Sequence, residues 1–158
     1  MDEKTNVCRI LDQKKVKYTA HTYDPEQAIS GTEVAAFLGQ NPDRVFKTLV
    51  TVAKSGKNYV FVIPVEKELA LKNAAKAVGE KSIEMLKSKD LLPLTGYIHG
   101  GCSPIGMKKL FPTTFQQEVL NYDTIMFSAG KIGHQVELNI NDLTKVIPYK
   151  TADIVKED

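Results

Sequence analysis

The stretch RVFKTLVTVAKSGKNYVFVIPV, residues 44–65, contains two runs of β-branched and aromatic residues separated by KSGK. Such side chains fit the pleated surface of a sheet, and a short polar segment with a glycine between two runs is typical of a hairpin. The stretch therefore predicts two antiparallel strands, RVFKTLVTVA and NYVFVIPV. Both faces of the first strand are apolar or threonine, which is typical of a strand whose faces are largely buried.

Helices and further strands are predicted on both sides of this hairpin from hydrophobic periodicity. The predicted helices lie within residues 4–15, 30–39, 70–79 and 141–148, and the further strands within 17–23, 124–130 and 134–140. Ser30 and Glu33 have the spacing of a capping box, and Asn141 is expected to cap the last helix. Pro93 should limit SKDLLPLTG, residues 88–96, to at most one helical turn.

The order of these elements decides the expected fold class. Strands and helices do not alternate in a regular βαβ order, and neither GxGxxG nor GxxxxGK[ST] occurs in the sequence. This pattern argues against a doubly wound nucleotide-binding fold. We expect an α+β protein of one domain, residues 1–158, built as a mixed-sheet open barrel with peripheral helices.

Composition narrows the possible partners and cofactors. The chain is 42% hydrophobic and 25% charged, with a formal net charge of +2. No apolar run approaches the roughly 18 to 20 residues that span a bilayer, and no apolar signal segment begins the chain. We therefore expect a soluble, cytoplasmic protein with no membrane and no DNA partner. Two cysteines and three histidines show no zinc-binding spacing, so neither a metal nor another cofactor is expected.

Lys47 is the residue most indicative of a functional site. Alternation along the strand places its side chain on the same face as Val45 and Leu49, a face that should be largely buried. A buried ammonium group needs an anionic or strongly polar partner, either a protein carboxylate or a bound phosphate. The alternative is a purely structural lysine, whose stem packs in the protein while its ammonium group reaches water.

The segment GYIHGGCSPIGMKK, residues 96–109, contains four of the ten glycines of the chain. Gly100, Gly101 and Gly106 permit backbone conformations that other residues avoid, and Pro104 fixes one turn. Backbone amides without neighbouring side chains suit an ester carbonyl or a phosphate. The alternative is a tight turn that needs glycine for its own geometry.

Cys102 is a candidate nucleophile with His99 or His134 as its base. Such chemistry requires a base within hydrogen-bond reach, which the sequence alone does not establish, and a packed thiol is the alternative. The lysine clusters at 14–17 and 108–109 are candidate anion sites or simply solvated surface.

Five motifs together resemble the YbaK/EbsC family of bacterial Cys-tRNA(Pro) deacylases, which is related to the editing domain of prolyl-tRNA synthetases. They are HTYD, NPDRVFKTLV, GYIHGGCSPIGMKK, FSAGKIGHQVEL and the closing DLTKVI with TADIV. Their order and spacing are those of the family over nearly the whole chain. The resemblance implies a trans-acting enzyme that removes cysteine from mischarged tRNA(Pro), with prolyl-tRNA synthetase as a partner.

The resemblance also implies roles for particular residues. Lys47 is the lysine of the family and would anchor and polarise the tRNA end, and the loop from Gly100 to Pro104 would hold the aminoacyl carbonyl. The implied substrate-binding residues are Tyr23, Gly100, Gly101, Ser103, Pro104, Ser128 and Gln135. The family mechanism is substrate-assisted, because the thiol of the attached cysteine attacks its own ester.

Two departures and two alternatives accompany the resemblance. Gln135 stands where well-known relatives carry an aspartate, so substrate preference is expected to shift, and Cys102 occupies a variable place in the loop. Alanyl or seryl esters are alternative substrates within the same class. A noncatalytic module that binds tRNA or the synthetase is the alternative from a different class.

Overall fold

The computed structural model describes residues 4–26, 28 and 30–157. Two β-sheets form the centre of the protein, and helices pack around them. The strands are β1 (Tyr18–Thr22), β2 (Phe46–Ala53), β3 (Asn58–Pro64), β4 (Ile83–Met85), β5 (Thr113–Gln116), β6 (Thr124–Ser128), β7 (His134–Asn139) and β8 (Lys150–Ala152). The α-helices are α1 (Asn6–Gln13), α2 (Gly31–Phe37), α3 (Leu71–Val78), α4 (Ser88–Thr95) and α5 (Ile140–Leu143).

The larger sheet has the order β4-β2-β3-β5-β8 and contains the predicted hairpin at its centre. β2 and β3 pair antiparallel from Phe46 opposite Pro64 to Val52 opposite Asn58. β5 then pairs parallel with both β3 and β8, so the sheet is mixed. This arrangement confirms the predicted α+β class, the predicted hairpin and the mixed pairing of the strands.

The smaller sheet has the order β1-β7-β6, and an isolated bridge links it to the start of β2. Val45, just before β2, bridges Met126 of β6 in parallel orientation. β4 covers the same edge of β2 only from Thr51 to Ala53. The two sheets therefore diverge along the middle of β2 and leave a gap there.

Two hydrophobic cores lie on opposite faces of β2. Phe46 and Val50 pack in the larger core with Phe115, Phe127 and Val136, whereas Leu49 packs against the smaller core around Phe61 and Ile63. Alternate residues of β2 are thus committed to different cores, as expected for a strand that is apolar on both faces. This double burial holds the backbone around Lys47 in place.

Several local predictions are confirmed by the structure. Ser30 accepts a hydrogen bond from the Glu33 amide, and the Glu33 carboxylate accepts one from the Ser30 amide, which is the predicted capping box. The predicted strand within 134–140 is β7, in which Val136 and Leu138 are fully buried.

Two predictions about helices are wrong. The segment with Pro93 forms the eight-residue helix α4 rather than one turn at most. Proline removes only the one hydrogen bond to the residue four positions back, and the helix ends soon afterwards at Gly96. The cap of α5 is Asn139 rather than Asn141, because the Asn139 side chain accepts from the Asn141 amide. The chain also forms β4, β5 and β8, which were not predicted.

No helix among the described residues is long and apolar enough to cross a lipid bilayer.

Candidate active site

A cleft of about 540 Å³ opens where the two sheets diverge. One wall is β2 from Phe46 to Val50, and another is the N-terminal end of α2. The remaining walls come from the segment around α4, from the glycine-rich loop at Gly100, and from the ends of β6 and β7. The cleft therefore brings together residues that lie far apart in the sequence.

Along the middle of β2, the edge that faces this cleft has no neighbouring strand among the described residues. Val45 accepts a hydrogen bond from Val65 on the β3 side, whereas Val50 accepts one from Leu86 on the opposite side. Because alternate residues of a strand direct their backbone groups to the same edge, Thr48 shares the edge of Val50. Its N–H and C=O groups are therefore directed into the gap between the sheets, where a ligand can reach them.

Lys47 lines the cleft and is half-buried. Within the described part of the chain, its ammonium group makes no hydrogen bond or salt bridge. Burial lowers the pKa of Lys47, and the negative charge of Glu68 only partly opposes this effect. Glu68 is itself paired with Lys156 at 3.1 Å. The cleft thus presents a partly desolvated cation whose preferred partner is an anion or a polarised oxygen.

The glycine-rich loop forms another wall of the cleft. Two of its glycines occupy positions where a side chain would be unfavourable, for two different reasons. Gly100 lines the cleft with φ +88°, a conformation that strongly favours glycine. Gly101 instead packs on the β6–β7 hairpin, where a Cβ atom would lie 3.2 Å from the Ile132 backbone nitrogen. The glycine-rich loop and the turn between β6 and β7 therefore contact each other.

Only part of the predicted loop site faces the cleft. The Gly101 amide donates to Ile98 at 3.0 Å, and the buried Ser103 hydroxyl accepts from the Ile105 amide at 3.3 Å. Neither these two residues nor the buried Pro104 lines the cleft. They fold the turn behind it, whereas Gly100 and Cys102 form its surface.

The other predicted residues, Tyr23, Ser128 and Gln135, all line the cleft and are more than nine-tenths buried. Ser128 and Gln135 are directly opposite each other in the pairing of β6 with β7. The Ser128 hydroxyl accepts a hydrogen bond from the Gly130 amide at 3.1 Å. Among the described residues, the buried side-chain oxygen Oε1 of Gln135 has no hydrogen-bond partner.

Thr48 also belongs to this site, although the sequence analysis did not identify it. It lines the cleft next to Lys47, and its buried Oγ1 atom has no hydrogen-bond partner in the described part of the chain. Unsatisfied buried polar atoms are uncommon in native proteins and call for an explanation, of which a bound ligand is one. A threonine within an apolar strand gives no such signal in the sequence, because threonine is common in strands.

Cys102 lines the cleft, but its environment does not activate the thiol. Burial raises the pKa of Cys102 to about 12, and no histidine of the described chain hydrogen-bonds to it. A thiol with such a pKa contains very little thiolate at neutral pH, and the thiolate is the nucleophilic form. His99 is exposed at the cleft rim, and no cluster of three potential metal ligands occurs among the described residues.

A polar cluster beside the cleft fixes the start of β2 against the smaller sheet. The Glu137 carboxylate accepts from Arg44 at 3.0 Å and from the Thr124 hydroxyl at 2.7 Å, and it lies 2.9 Å from His21 Nε2. Arg44 also donates to the Thr124 carbonyl and hydroxyl. The Thr124 and His21 hydrogen bonds and the Arg44 charge keep the pKa of Glu137 below its usual value. The cluster links three strands to the residue three positions before Lys47.

Replacing Glu137 with glutamine is expected to lower the free energy of unfolding by about 1 to 3 kcal/mol at pH 7, because Arg44 loses its partly buried counter-charge. The pKa of Glu137 is lowered in the folded state, so its stabilisation is present above the ordinary value of 4.5. This stabilisation disappears as the pH falls through the lowered pKa. Urea unfolding at pH 7 and in acid measures both effects.

The exposed Glu84 in β4 provides the control, because its replacement by glutamine should change stability little at either pH. Equal effects of the two substitutions at pH 7 would contradict the structural role assigned to Glu137.

Comparisons with known proteins agree with this fold. The model of the aminoacyl-tRNA editing domain family matches residues 25–146. The chain is 50% identical over 157 residues to the "Putative Cys-tRNA(Pro)/Cys-tRNA(Cys) deacylase EbsC" of Enterococcus faecalis, covering 99% of this chain and 96% of that protein. It is 27% identical over 165 residues to the "Prolyl-tRNA editing protein ProX" of Acetoanaerobium sticklandii, covering 99% of this chain and 92% of that protein.

A solved structure has the same fold. It is described as a "putative trans-editing enzyme for prolyl tRNA synthetase", and it superposes with a TM-score of 0.82 at 20% identity over 98% of this chain and 100% of that one. The family model and the 50% identical relative define the class of this protein as an aminoacyl-tRNA editing-domain protein. The chain belongs to the aminoacyl-tRNA editing domain family, with an EbsC-like relative across nearly its full length.

Proposed function

We propose that this protein is a trans-acting deacylase that removes cysteine from mischarged Cys-tRNA(Pro). The observation that carries the proposal is the half-buried ammonium group of Lys47, which lines the cleft without a hydrogen-bond or salt-bridge partner among the described residues. The names of the EbsC and ProX relatives support aminoacyl-tRNA as the substrate class. The aminoacyl ester would enter the gap between the sheets, and the acceptor end of the tRNA would remain outside.

Each wall of the cleft has a role in this proposal. Lys47 would bind the phosphate or ribose oxygens of the terminal adenosine and favour negative charge on the reacting groups. The amides of Gly100 and Cys102, which donate no hydrogen bond to any described residue, are available to the ester carbonyl. Tyr23, Ser128 and Gln135 would surround the amino acid. Gly101, Ser103 and Pro104 would hold the loop in position from behind.

The proposed chemistry uses the substrate's own thiol. Its sulfur forms a bond to the carbonyl carbon, the ester bond to the ribose oxygen breaks, and that oxygen leaves with the thiol proton. The products are intact tRNA and a cyclic cysteine thioester, which water then opens to free cysteine. This route requires neither a protein nucleophile nor a protein base, in agreement with the raised pKa of Cys102.

Editing of this kind is needed because the synthetase pocket cannot fully exclude cysteine. Cysteine and proline are of similar size, and a binding pocket discriminates such near-isosteres by only a few kcal/mol. A second enzyme that removes cysteine afterwards supplies the missing discrimination. Prolyl-tRNA synthetase is therefore the proposed partner, because it generates the substrate.

Replacing Cys102 with alanine is expected to leave deacylation within about threefold of the wild-type rate, because a thiol with a pKa of about 12 supplies no nucleophile. Single-turnover assays with Cys-tRNA(Pro) measure this rate. Complete loss of activity in a correctly folded Cys102→Ala protein would instead favour hydrolysis through an enzyme-bound thioester.

Deacylation of Cys-tRNA(Pro) with enzyme in excess tests the proposed function. A noncatalytic binding module would bind the tRNA without increasing the loss of cysteine above the spontaneous rate. Alanyl and seryl esters in the same assay test the alternative substrates.

A further inference from the structure

The polar groups inside the cleft are almost all uncharged. Gln135 Oε1 and Thr48 Oγ1 are buried and lack partners among the described residues, and the backbone groups of Thr48 face the same gap. These groups come from β2 and β7, which belong to different sheets. A ligand in the cleft therefore meets amide, hydroxyl and main-chain dipoles rather than a carboxylate.

No carboxylate is found among the ionisable groups that line the cleft in the described part of the chain. These groups belong to Lys47, His99, Tyr23 and Cys102. The nearest carboxylate along β7 is Glu137, on the same face as Gln135, but it is paired with Arg44, Thr124 and His21. Glu68 influences Lys47 and is bound to Lys156, and the Glu33 carboxylate accepts from the Ser30 amide.

From these observations we infer that the cleft binds the α-nitrogen of the aminoacyl group as a neutral amine, with Gln135 as the residue that selects this form. The inference rests on the proposed function, because it assumes an aminoacyl ester in the cleft. An ammonium form would enter a cleft that is lined by Lys47 and by no carboxylate among the described residues, and like charges in a partly desolvated site oppose each other.

The hydrogen-bonding capacity of the site agrees with a neutral amine. An ammonium group only donates hydrogen bonds, whereas a neutral amine also accepts one through its lone pair. The Gln135 amide and the Thr48 hydroxyl can each donate and accept, so they complement both functions of the amine. A free α-amine titrates at roughly 7.7 to 8.0, so the neutral form is accessible near physiological pH.

Binding of paired analogues that cannot be cleaved tests this inference. The first is an acceptor-stem RNA hairpin that ends in 3′-(2-aminobutyrylamino)-3′-deoxyadenosine, in which a methyl group replaces the cysteine thiol. The second carries a butyryl group and lacks the amine. Calorimetric titration at pH 6 and pH 9 measures the affinity of each for the full-length protein.

The wild-type protein should bind the amine analogue at least about fivefold more tightly at pH 9 than at pH 6, since the neutral fraction rises about tenfold per pH unit below the amine pKa. The butyryl analogue has no amine, so any change in its affinity between pH 6 and pH 9 comes from Lys47, His99 or the RNA. The effect of the amine is the change in affinity of the amine analogue minus that of the butyryl analogue. Gln135→Glu should reverse the preference by favouring the ammonium form. Gln135→Met, which has a similar shape without the amide, should reduce the difference between the analogues at pH 9.

The inference is overturned if wild-type affinity for the amine analogue, relative to the butyryl analogue, is unchanged or weaker at pH 9. It is also overturned if both Gln135 variants keep the wild-type pH dependence, or if neither analogue binds. Thermal unfolding verifies that the variants are folded. The proposed function is tested by a separate experiment, the deacylation assay, and it would be wrong if the wild-type protein did not deacylate Cys-tRNA(Pro).

Discussion

Lys47→Met is expected to reduce single-turnover deacylation of Cys-tRNA(Pro) by at least about a hundredfold, the scale of loss when one preorganised electrostatic group is removed from an active site. Methionine retains much of the apolar stem but not the charge. The ammonium group is half-buried and unpaired among the described residues, so the substitution should leave stability unchanged or slightly higher. Rapid-quench deacylation and urea unfolding, performed on the same preparation, separate the two effects.

Two further variants define what Lys47 contributes. Lys47→Arg preserves the charge but not its position, and it should recover only part of the rate, since a guanidinium group cannot replace a compact ammonium group in a confined site. Lys57→Met, in the exposed turn between β2 and β3, is the matched control and should deacylate at the wild-type rate. Equal rates for Lys47→Met and wild type would remove Lys47 from the mechanism.

Replacing the amino acid on the tRNA should have the second large effect. Alanyl-tRNA(Pro) and 2-aminobutyryl-tRNA(Pro) lack the thiol and should be cleaved at least about a hundredfold more slowly than Cys-tRNA(Pro), because an internal nucleophile has a very high effective concentration at its own carbonyl. Seryl-tRNA(Pro) retains a nucleophile in the same place, but its hydroxyl group ionises far less readily than a thiol. It should therefore also be slow.

Each rate is compared with the spontaneous loss of the same amino acid, since esters differ in intrinsic stability. The 2-aminobutyryl substrate is the sharpest control because a methyl group replaces the thiol at nearly the same size. If this substrate is cleaved as fast as the cysteinyl one, a water molecule or a ribose hydroxyl must be the attacking group. That outcome would keep the protein a deacylase but exclude the thiol-assisted route.

The part of the fold that depends on local signals was predictable from the sequence. The β2–β3 hairpin follows from its residue pattern, and α2 begins at Ser30 because the capping box involves residues only three positions apart. β5 was missed because TTFQ has no alternation and is buried entirely, and its parallel partners lie far away in the chain. Long-range pairing of this kind leaves little trace in a single sequence.

The site was predictable to a different extent. Strand periodicity identified Lys47 because a charge in an apolar strand is anomalous, and the structure places it at the cleft. The glycines at 100 and 101 appeared equivalent in the sequence, but Gly101 packs closely against the Ile132 backbone, whereas Gly100 lines the cleft. Thr48 could not be identified from the sequence, because it lines the cleft only as a result of the divergence of the two sheets, which exposes one edge of β2.

The most direct test of the central claim is the first-order rate at which the wild-type protein, in excess, releases cysteine from purified Cys-tRNA(Pro). We expect a rate at least about a hundredfold above spontaneous hydrolysis, consistent with the minimum electrostatic contribution assigned to Lys47. We also expect the released tRNA to be intact, so that it can be charged with proline again. A rate equal to the spontaneous one, under conditions where the tRNA is shown to be bound, would contradict the proposed function.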